Sequence, residues 1–562
     1  MNTKLRELEH RTINGDIYDY YESIIDRIFS SKYGSDTKFL SFDSSEPPCP
    51  IGPGQFTKLK LTDGSCTLTS FDTSFIKLRV STTVSFSGTN PDVTNWATNH
   101  GNTDAVESFD NLPFLYVGLK SGLHLIDHYR FYCDKGRGYV CEQSQAIYES
   151  AVTWFAKSKE EIRGNEGCYV TYKDLITFNK NIPGKIFTYK EVADAIFEKK
   201  TLPLDFEVII KYDDFAPLQF FKIFPNSICG NLQLEFKINN NKNFVCVGIA
   251  LQDAVDNCYY LGRNLVNDVF SGDSSTNKQK YLELMSKIKT GRYDRQFQNV
   301  GDLLNVALPT FNLTGYDIQN INLTSTAFQV NVGSLRLESA KSYINGYNID
   351  QDKIDELTAL FTNHKVYIPG QRIDQYSFSQ IPTRTNMNCN TTQTLINCSS
   401  IIFTWPRTQN QLTCSENPLC SSLQLQIDNK TYPDKPFSTT EYAHSNYILN
   451  NLMFDDIFKP NEALKNSLSF PWEKMYYDSS NYIFVVATER LDSDPFVFDG
   501  ITKDNCFITL NGTFNSESSY AKSGSKMPPI MFLCQDTVWE LSSEGVNYYY
   551  NDKNIIPSIS NN

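Results

Sequence analysis

The 562-residue chain has no long apolar run. Its best stretch, Phe244 to Leu251, holds eight residues, where a membrane-crossing helix needs about 20. The opening MNTKLRELEHRTINGD carries charges where a secretory signal needs an apolar core, so export by that route is not expected. Neither G-x-x-x-x-G-K-[ST] nor G-x-G-x-x-G occurs, which removes the familiar phosphate-cradling loops. No G-x-S-x-G elbow and no C-x-x-C is present either. Basic charge is short: 51 Lys and Arg face 64 Asp and Glu, a net charge of −13, with no compact basic tail. Binding to phosphate backbones is dominated by Lys and Arg, so sequence-specific nucleic-acid recognition is not expected.

Histidine is scarce as well, six in all. His124 and His128 stand four apart, the spacing of a helical metal pair, but the run is His-Leu-Ile-Asp-His and lacks the glutamate of a metalloprotease. On a strand the two would sit about 13 Å apart. His10, His100, His364 and His444 are scattered, and no His/Cys cluster of zinc-site spacing is visible. Asp492, Asp494 and Asp499 lie close in LDSDPFVFDG. Two carboxylates suffice for glycoside hydrolysis; among 64 acidic residues such neighbours are unavoidable, and solvated loop acids are the plainer reading. No catalytic, cofactor-binding or metal residue is assigned.

Cysteine is not scarce: there are 14. An even number invites disulfides, and Cys133/Cys141 or Cys414/Cys420 could close local loops. The large chain without an export signal favours buried free thiols, which behave as small apolar residues. Six Asn-x-Ser/Thr sequons, at Asn312, Asn322, Asn390, Asn397, Asn429 and Asn511, are about what a chain this rich in Asn, Ser and Thr yields by chance.

What the chain has in quantity is aromatic side chain: 38 Phe and 32 Tyr, 13% with Trp. That is too rich for a disordered chain and leans towards strands. Residues 1–30 carry Tyr18, Tyr21, Ile25 and Ile28 on one helical face, and the Ser/Pro/Gly-rich Ser41 to Gly54 reads as a linker or extended arm. Phe75 to Phe86 alternates apolar and polar, as a half-buried strand does. Leu112–Val117, Leu123–Tyr132, Phe206–Tyr212 and Leu232–Ile238 are further strands. Ile147, Ala151, Trp154 and Phe155 mark one short helix, and Val192, Ala195 and Ile196 another.

Tyr281, Leu284, Met285 and Ile288 suggest a helix inside a polar connector. Beyond it come strands at Phe328–Val332, Leu335–Glu338, Leu423–Asp428, Ile483–Ala487, Phe507–Leu510 and Ile530–Leu533, with a helical stripe at Ile354, Leu357 and Phe361. Asn386 to Ser400 is a polar run that reads as a surface loop. The division expected is an N-terminal helix and arm (1–54), a first β body with a helical insertion (55–255), a connector (256–304) and a second β body (305–562). Many short strands with turn residues between them indicate sandwiches or jelly rolls.

Several segments then fall in one order. They are Asp72 to Val80, the stretch LPFLYVGLKSGLHLIDHYRFYCDKGRGYVCEQSQAIYES over 112–150, Leu202-Pro-Leu, and Phe221 to Leu232. Phe403-Thr-Trp-Pro-Arg, Asn417-Pro, Leu423-Gln-Leu, Leu491 to Gly500 and Pro528 to Trp539 follow. The series, from about residue 70 to 545, resembles the major capsid protein of Polinton/Maverick elements and their virophage and adintovirus-like relatives. Each motif alone is weak; their collinearity carries the resemblance. The cysteines and the Asn-rich 386–400 run depart from the pattern.

The resemblance implies a mainly β chain of two eight-stranded jelly rolls side by side, a double jelly roll. It implies a structural, non-enzymatic subunit needing no cofactor, whose homotrimers form pseudo-hexagonal capsomers of an icosahedral virion. Its partners would be copies of itself and a minor capsid or penton protein, and contact with a genome would fall to another protein. Two rivals stand beside it: a secreted or surface β-sandwich that binds glycans, favoured by the sequons and even cysteine count, and a β-rich glycosidase using Asp492 and Asp494.

Overall fold

The structure, a computed structural model, describes residues 15–30, 35–87, 113–149 (except 137), 167–168, 181–248 (except 241–242) and 329–408. It also describes 411–448 (except 416, 442, 445 and 446), 482–488 and 500–549 (except 517 and 524–526). The expected connector 256–304 with its helix, Trp154 and Phe155, and the Asp492, Asp494 and Asp499 cluster lie outside the described residues.

The chain enters through helix α1 (Gly15–Ser30) and strand β1 (Ser35–Asp43). Tyr21, Ile24, Ile25 and Ile28 are buried, the face that 3.6-residue spacing marks out. Ser41 to Gly54 is not a free linker. β1 pairs along its length with a later strand, and backbone bridges tie Ser45 to Lys58 and Ile51 to Leu337.

Then come β2 (Phe56–Lys60), β3 (Leu68–Ser87), β4 (Pro113–Gly118), a 3-10 turn (Gly122–Leu125), β5 (Ile126–Cys133), β6 (Tyr139–Gln143) and β7 (Gly184–Thr188). Helix α2 (Tyr189–Phe197) follows, opened by a capping box in which Thr188 Oγ1 accepts from the Glu191 N–H and Glu191 accepts from the Thr188 N–H. Next are β8 (Thr201–Lys211), β9 (Ile223–Phe224), the short α3 (Asn226–Cys229), β10 (Leu232–Ile238) and β11 (Val245–Gly248).

The pairing is nested. β2 pairs with β10, β3 with β8, β4 with β7 and β5 with β6, all antiparallel. A chain paired first with last, second with second-last and inward is one long hairpin; β10 also pairs with β5, which rolls that hairpin up. Eight strands wound this way are a jelly roll.

The second half repeats the scheme. Its strands are β14 (Val366–Ser377), β15 (Asn386–Thr404), the hairpin β16 (Pro406–Thr408) and β17 (Gln411–Ser415), and the hairpin β18 (Cys420–Ile427) and β19 (Lys430–Phe437). β20 (Ile483–Ala487), β21 (Ile501–Phe514), α5 (Ser519–Ser523), β22 (Ile530–Ser542) and β23 (Gly545–Tyr549) complete it. β14 pairs with β22 and β15 with β21, nested around the β18–β19 hairpin. The protein is a mainly β double jelly roll.

Two findings differ from the sequence reading. Asn386 to Ser400 is no loop but the first part of β15, alternating exposed Asn386 and Asn388 with buried Met387 and Cys389. Leu123 and His124 lie inside a 3-10 turn, and the strand starts at Ile126. In addition, β12 (Gln329–Val332) and β13 (Arg336–Ile349), grouped by sequence with the second half, hydrogen-bond to β3 and β1 of the first. Helix α4 (Gln351–Asn363) then packs against α1, where Tyr21 meets Phe361 edge-on at 5.7 Å.

Each core takes side chains from the other half. Trp539, Leu541, Val546 and Tyr548, from β22 and β23, lie in the first core, while Tyr148 and Ala216 lie in the second.

Candidate functional site

The residues that looked chemical in the sequence are not brought together. His124 is fully buried in its 3-10 turn. Its Nδ1 accepts from the Ser121 N–H at 3.3 Å, and Nε2 has no hydrogen-bond partner among the described residues. Burial, then the nearby Lys120 charge, holds it well below the usual histidine range. His128 sits on β5, 3.5 Å from Glu142 and edge-on to Phe56. Among the described residues no three His, Cys, Asp or Glu side chains are grouped to hold a metal ion.

Eleven cysteines are described, ten of them buried, and Cys133 and Cys141 stand as free thiols. Burial pushes the Cys389 thiol up to about 12, and the Cys141, Cys229 and Cys420 thiols still higher. Such thiols are inert packing groups. Of the sequons, Asn397 is buried, Asn390 and Asn511 are half-buried, and Asn429 is exposed.

What the fold assembles instead are surfaces and a seam. On the outer face of β2, β10, β5 and β6 a charge ladder runs across the strands. Arg130 meets Glu142 at 2.9 Å and Glu235 at 3.5 Å, Lys58 pairs with Glu46, and Lys237 with Asp127. Each pair is at least partly exposed and adds little stability.

The outer face of β1, β13, β3 and β8 is different. Phe39, Tyr343 and Phe75 form a stack, with centroids 5.6 Å apart between Phe39 and Tyr343 and 4.9 Å between Tyr343 and Phe75. Phe39 remains 58% exposed. Four residues along β13, on the same face, Tyr347 meets Phe29 of α1 edge-on at 4.7 Å. Ion pairs Lys341–Asp43 (3.2 Å) and Lys77–Glu207 (2.6 Å) border this aromatic strip. Alternation in the sequence placed Phe75 on its strand. Phe39 and Tyr343 were missed, because only register brings β1 and β13 beside β3.

At the seam between halves, Trp539 Nε1 donates to the Pro217 carbonyl and Lys120 Nζ donates to the Thr413 carbonyl, both donors buried.

No family model matches the sequence, and no curated protein matches it. Solved structures do. The mavirus major capsid protein aligns at 9% identity with a TM-score of 0.48, over 91% of this chain and 90% of that one. The Sputnik virophage structure aligns at 10% identity and a TM-score of 0.47, over 94% and 91%. The PBCV-1 virus capsid model aligns at 8% and 0.43, over 93% and 98%. At these identities and scores the likenesses add no weight of their own; the fold assignment rests on the nested strand pairing.

Proposed function

We propose that this chain is a major capsid protein: a structural, non-enzymatic subunit whose trimers are the pseudo-hexagonal capsomers of an icosahedral virion. The observation that carries the reading is the repeated nested pairing, two jelly rolls in one chain with side chains traded between their cores. Such a block carries its repeat within one chain. Three copies around a three-fold axis bring six rolls into one ring, a closed arrangement of heterologous contacts. A six-sided outline made from three identical chains tiles a flat facet.

The aromatic strip supports association. Monomers rarely leave contiguous apolar patches in water, and an aromatic centre with a charged rim is the usual make-up of a protein interface. The collinear motifs from residue 70 to 545 favour the Polinton/Maverick and virophage-like branch, with a minor capsid or penton protein as the further partner. An exported glycan-binding protein fits less well, because proteins of oxidising compartments commonly cross-link their cysteines, whereas Cys133, Cys141, Cys389 and Cys420 are free here.

Negative-stain imaging of the purified chain tests the proposal. Hexagonal particles with six density lobes are expected; a field of single globular bodies at every concentration would contradict it.

A further inference from the structure

Strand β1 stands at the edge of its sheet: among the described strands it pairs only with β13. Antiparallel ladders alternate, so every second residue turns its N–H and C=O away from the partner. The Ser44 N–H donates to the Ala340 carbonyl at 2.9 Å, one step beyond the Asp43–Lys341 pair. Even-numbered residues of β1 therefore bond to β13, and odd-numbered ones face outward. Neighbouring contacts agree with this phase. On β13 the Asn345 N–H donates to Ser74 Oγ and the Tyr347 carbonyl accepts from the Thr67 N–H, both away from β1. At Ser45 the outward side is taken by Lys58 of β2, with a hydrogen bond in each direction. From Thr37 to Ser41 no described strand takes it.

Long open edges are commonly blunted by proline, by a bulge or by a covering segment. Other long edge strands of this protein show such devices. β8 carries Pro203, and its Ile209 N–H donates to the Gly167 carbonyl at 2.9 Å. β14 carries Pro369, and β19 carries Pro433 and Pro436. β1 has nine residues, no proline and an unbroken register against β13. Its Lys38 is drawn aside, where Nζ donates to the Ser65 carbonyl at 3.1 Å. Thr37, Phe39 and Ser41 are exposed.

We propose that β1 pairs edge to edge with β1 of a second copy of this chain, across a two-fold axis at Phe39. The segment itself selects that partner. Antiparallel self-pairing centred on Phe39 sets Phe39 against the second copy's Phe39, and Thr37 against its Ser41. Aromatic pairs and Thr–Ser pairs are favourable across strands. Lys38 meets the second copy's Leu40, so no like charges stand opposite each other between Thr37 and Ser41. The odd-numbered pairs exchange the backbone hydrogen bonds that each edge leaves open. The Phe75–Tyr343–Phe39 row then continues into the same row of the second copy. The contact is isologous, unlike the heterologous contacts of the proposed ring, and it needs only two chains. A segment this short makes a small contact, transient between free subunits. Where rings form, each has three such edges, and their repetition joins one ring to the next.

The test is disulfide trapping in the full chain. Facing residues of a hydrogen-bonded antiparallel pair stand about 5.5 Å apart at Cα, within disulfide reach. In concentrated protein under a mild oxidant, Phe39→Cys should link into a dimer of twice 64.2 kDa. Thr37→Cys and Ser41→Cys should link when mixed and stay single alone, because like positions then lie about 13 Å apart along the strands. The unaltered chain, with its 14 cysteines, is the blank. Phe39→Cys that never links, or Thr37→Cys that links as fast by itself, would overturn the pairing. Hydrogen exchange of the unaltered chain, read residue by residue, needs no substitution. The amides of 37, 39 and 41 should gain protection with concentration, while those of 38, 40 and 42 stay protected throughout. No concentration dependence at 37, 39 and 41, whether they stay open or are covered by another strand, would overturn it equally. Light scattering separates this contact from the ring. Linking at Phe39 in a chain that otherwise runs at 64.2 kDa upholds the pairing without the trimer. A species of three times that mass that never links upholds the trimer and overturns the pairing.

Discussion

The indole N–H of Trp539, on the second jelly roll, donates to the carbonyl of Pro217, on the first. Trp539 is wholly buried there, with Phe221 edge-on at 5.3 Å and Tyr548 at 4.8 Å. One side chain thus closes the core of the other half, which ties the two rolls into one cooperative body.

Trp539→Ala is therefore expected to cost about 3–5 kcal/mol, the range for truncating a large buried aromatic. The loss should appear in both halves together. Urea unfolding followed separately in the first and second roll checks this; destabilisation confined to the second roll would speak against shared cores.

His444 predicts an acid limit to stability in the second core. Its Nε2 lies 2.8 Å from Tyr482 Oη, its ring stacks on Tyr482 and Phe484, and burial lowers its pKa from 6.5 to about 4. Folding favours the neutral ring, so this contribution is full above pH 6.5 and is lost as pH falls from there towards 4. The loss approaches roughly 3 kcal/mol below that window. Denaturation midpoints at neutral and acid pH measure it. His444→Phe should keep the stacking and remove this part of the pH dependence, while leaving the Tyr482 hydroxyl without its partner at every pH.

Helix α1 is docked by Tyr21, whose hydroxyl donates to the Ile223 carbonyl at 2.9 Å, and by buried Ile24 and Ile28. Arg27 adds an exposed ion pair to Glu356 at 2.7 Å. Ile24→Ala should cost about 2–5 kcal/mol locally, and Arg27→Ala less than about 1 kcal/mol. Limited proteolysis within residues 15–30 distinguishes them: the first variant is cut early, the second at nearly the rate of the unaltered chain.

Thiol chemistry offers a further check. Cys49, the one half-buried cysteine among the eleven described, should be alkylated first in the native protein. The ten buried ones should react only on unfolding. Mass-spectrometric mapping reads this directly, and rapid native labelling of Cys141 or Cys420 would contradict their packing.

The sequence made some elements legible and hid others for physical reasons. β10 and β20 fall where period-two alternation and an apolar run placed them, because each meets its sheet with unambiguous side chains. α4 follows its Ile354, Leu357, Phe361 stripe. β15 was hidden because its inward positions, Met387 and Cys389, are weak apolar signals set among Asn and Thr. β14 contains Pro369-Gly370, which reads as a turn. Among the described strands β14 pairs only with β22, and such an edge position tolerates the missing N–H. The nested pairing was out of reach altogether: β14 and β22 are far apart in sequence, and no local pattern encodes partners. The same holds for the aromatic strip and the seam, which exist only once distant strands are in register.

The most direct test of the central claim is the solution mass of the purified chain by light scattering. The subunit is 64.2 kDa. The account predicts a stable species at three times that mass, 192.6 kDa, which persists on dilution. A species that stays at 64.2 kDa under every condition would contradict it.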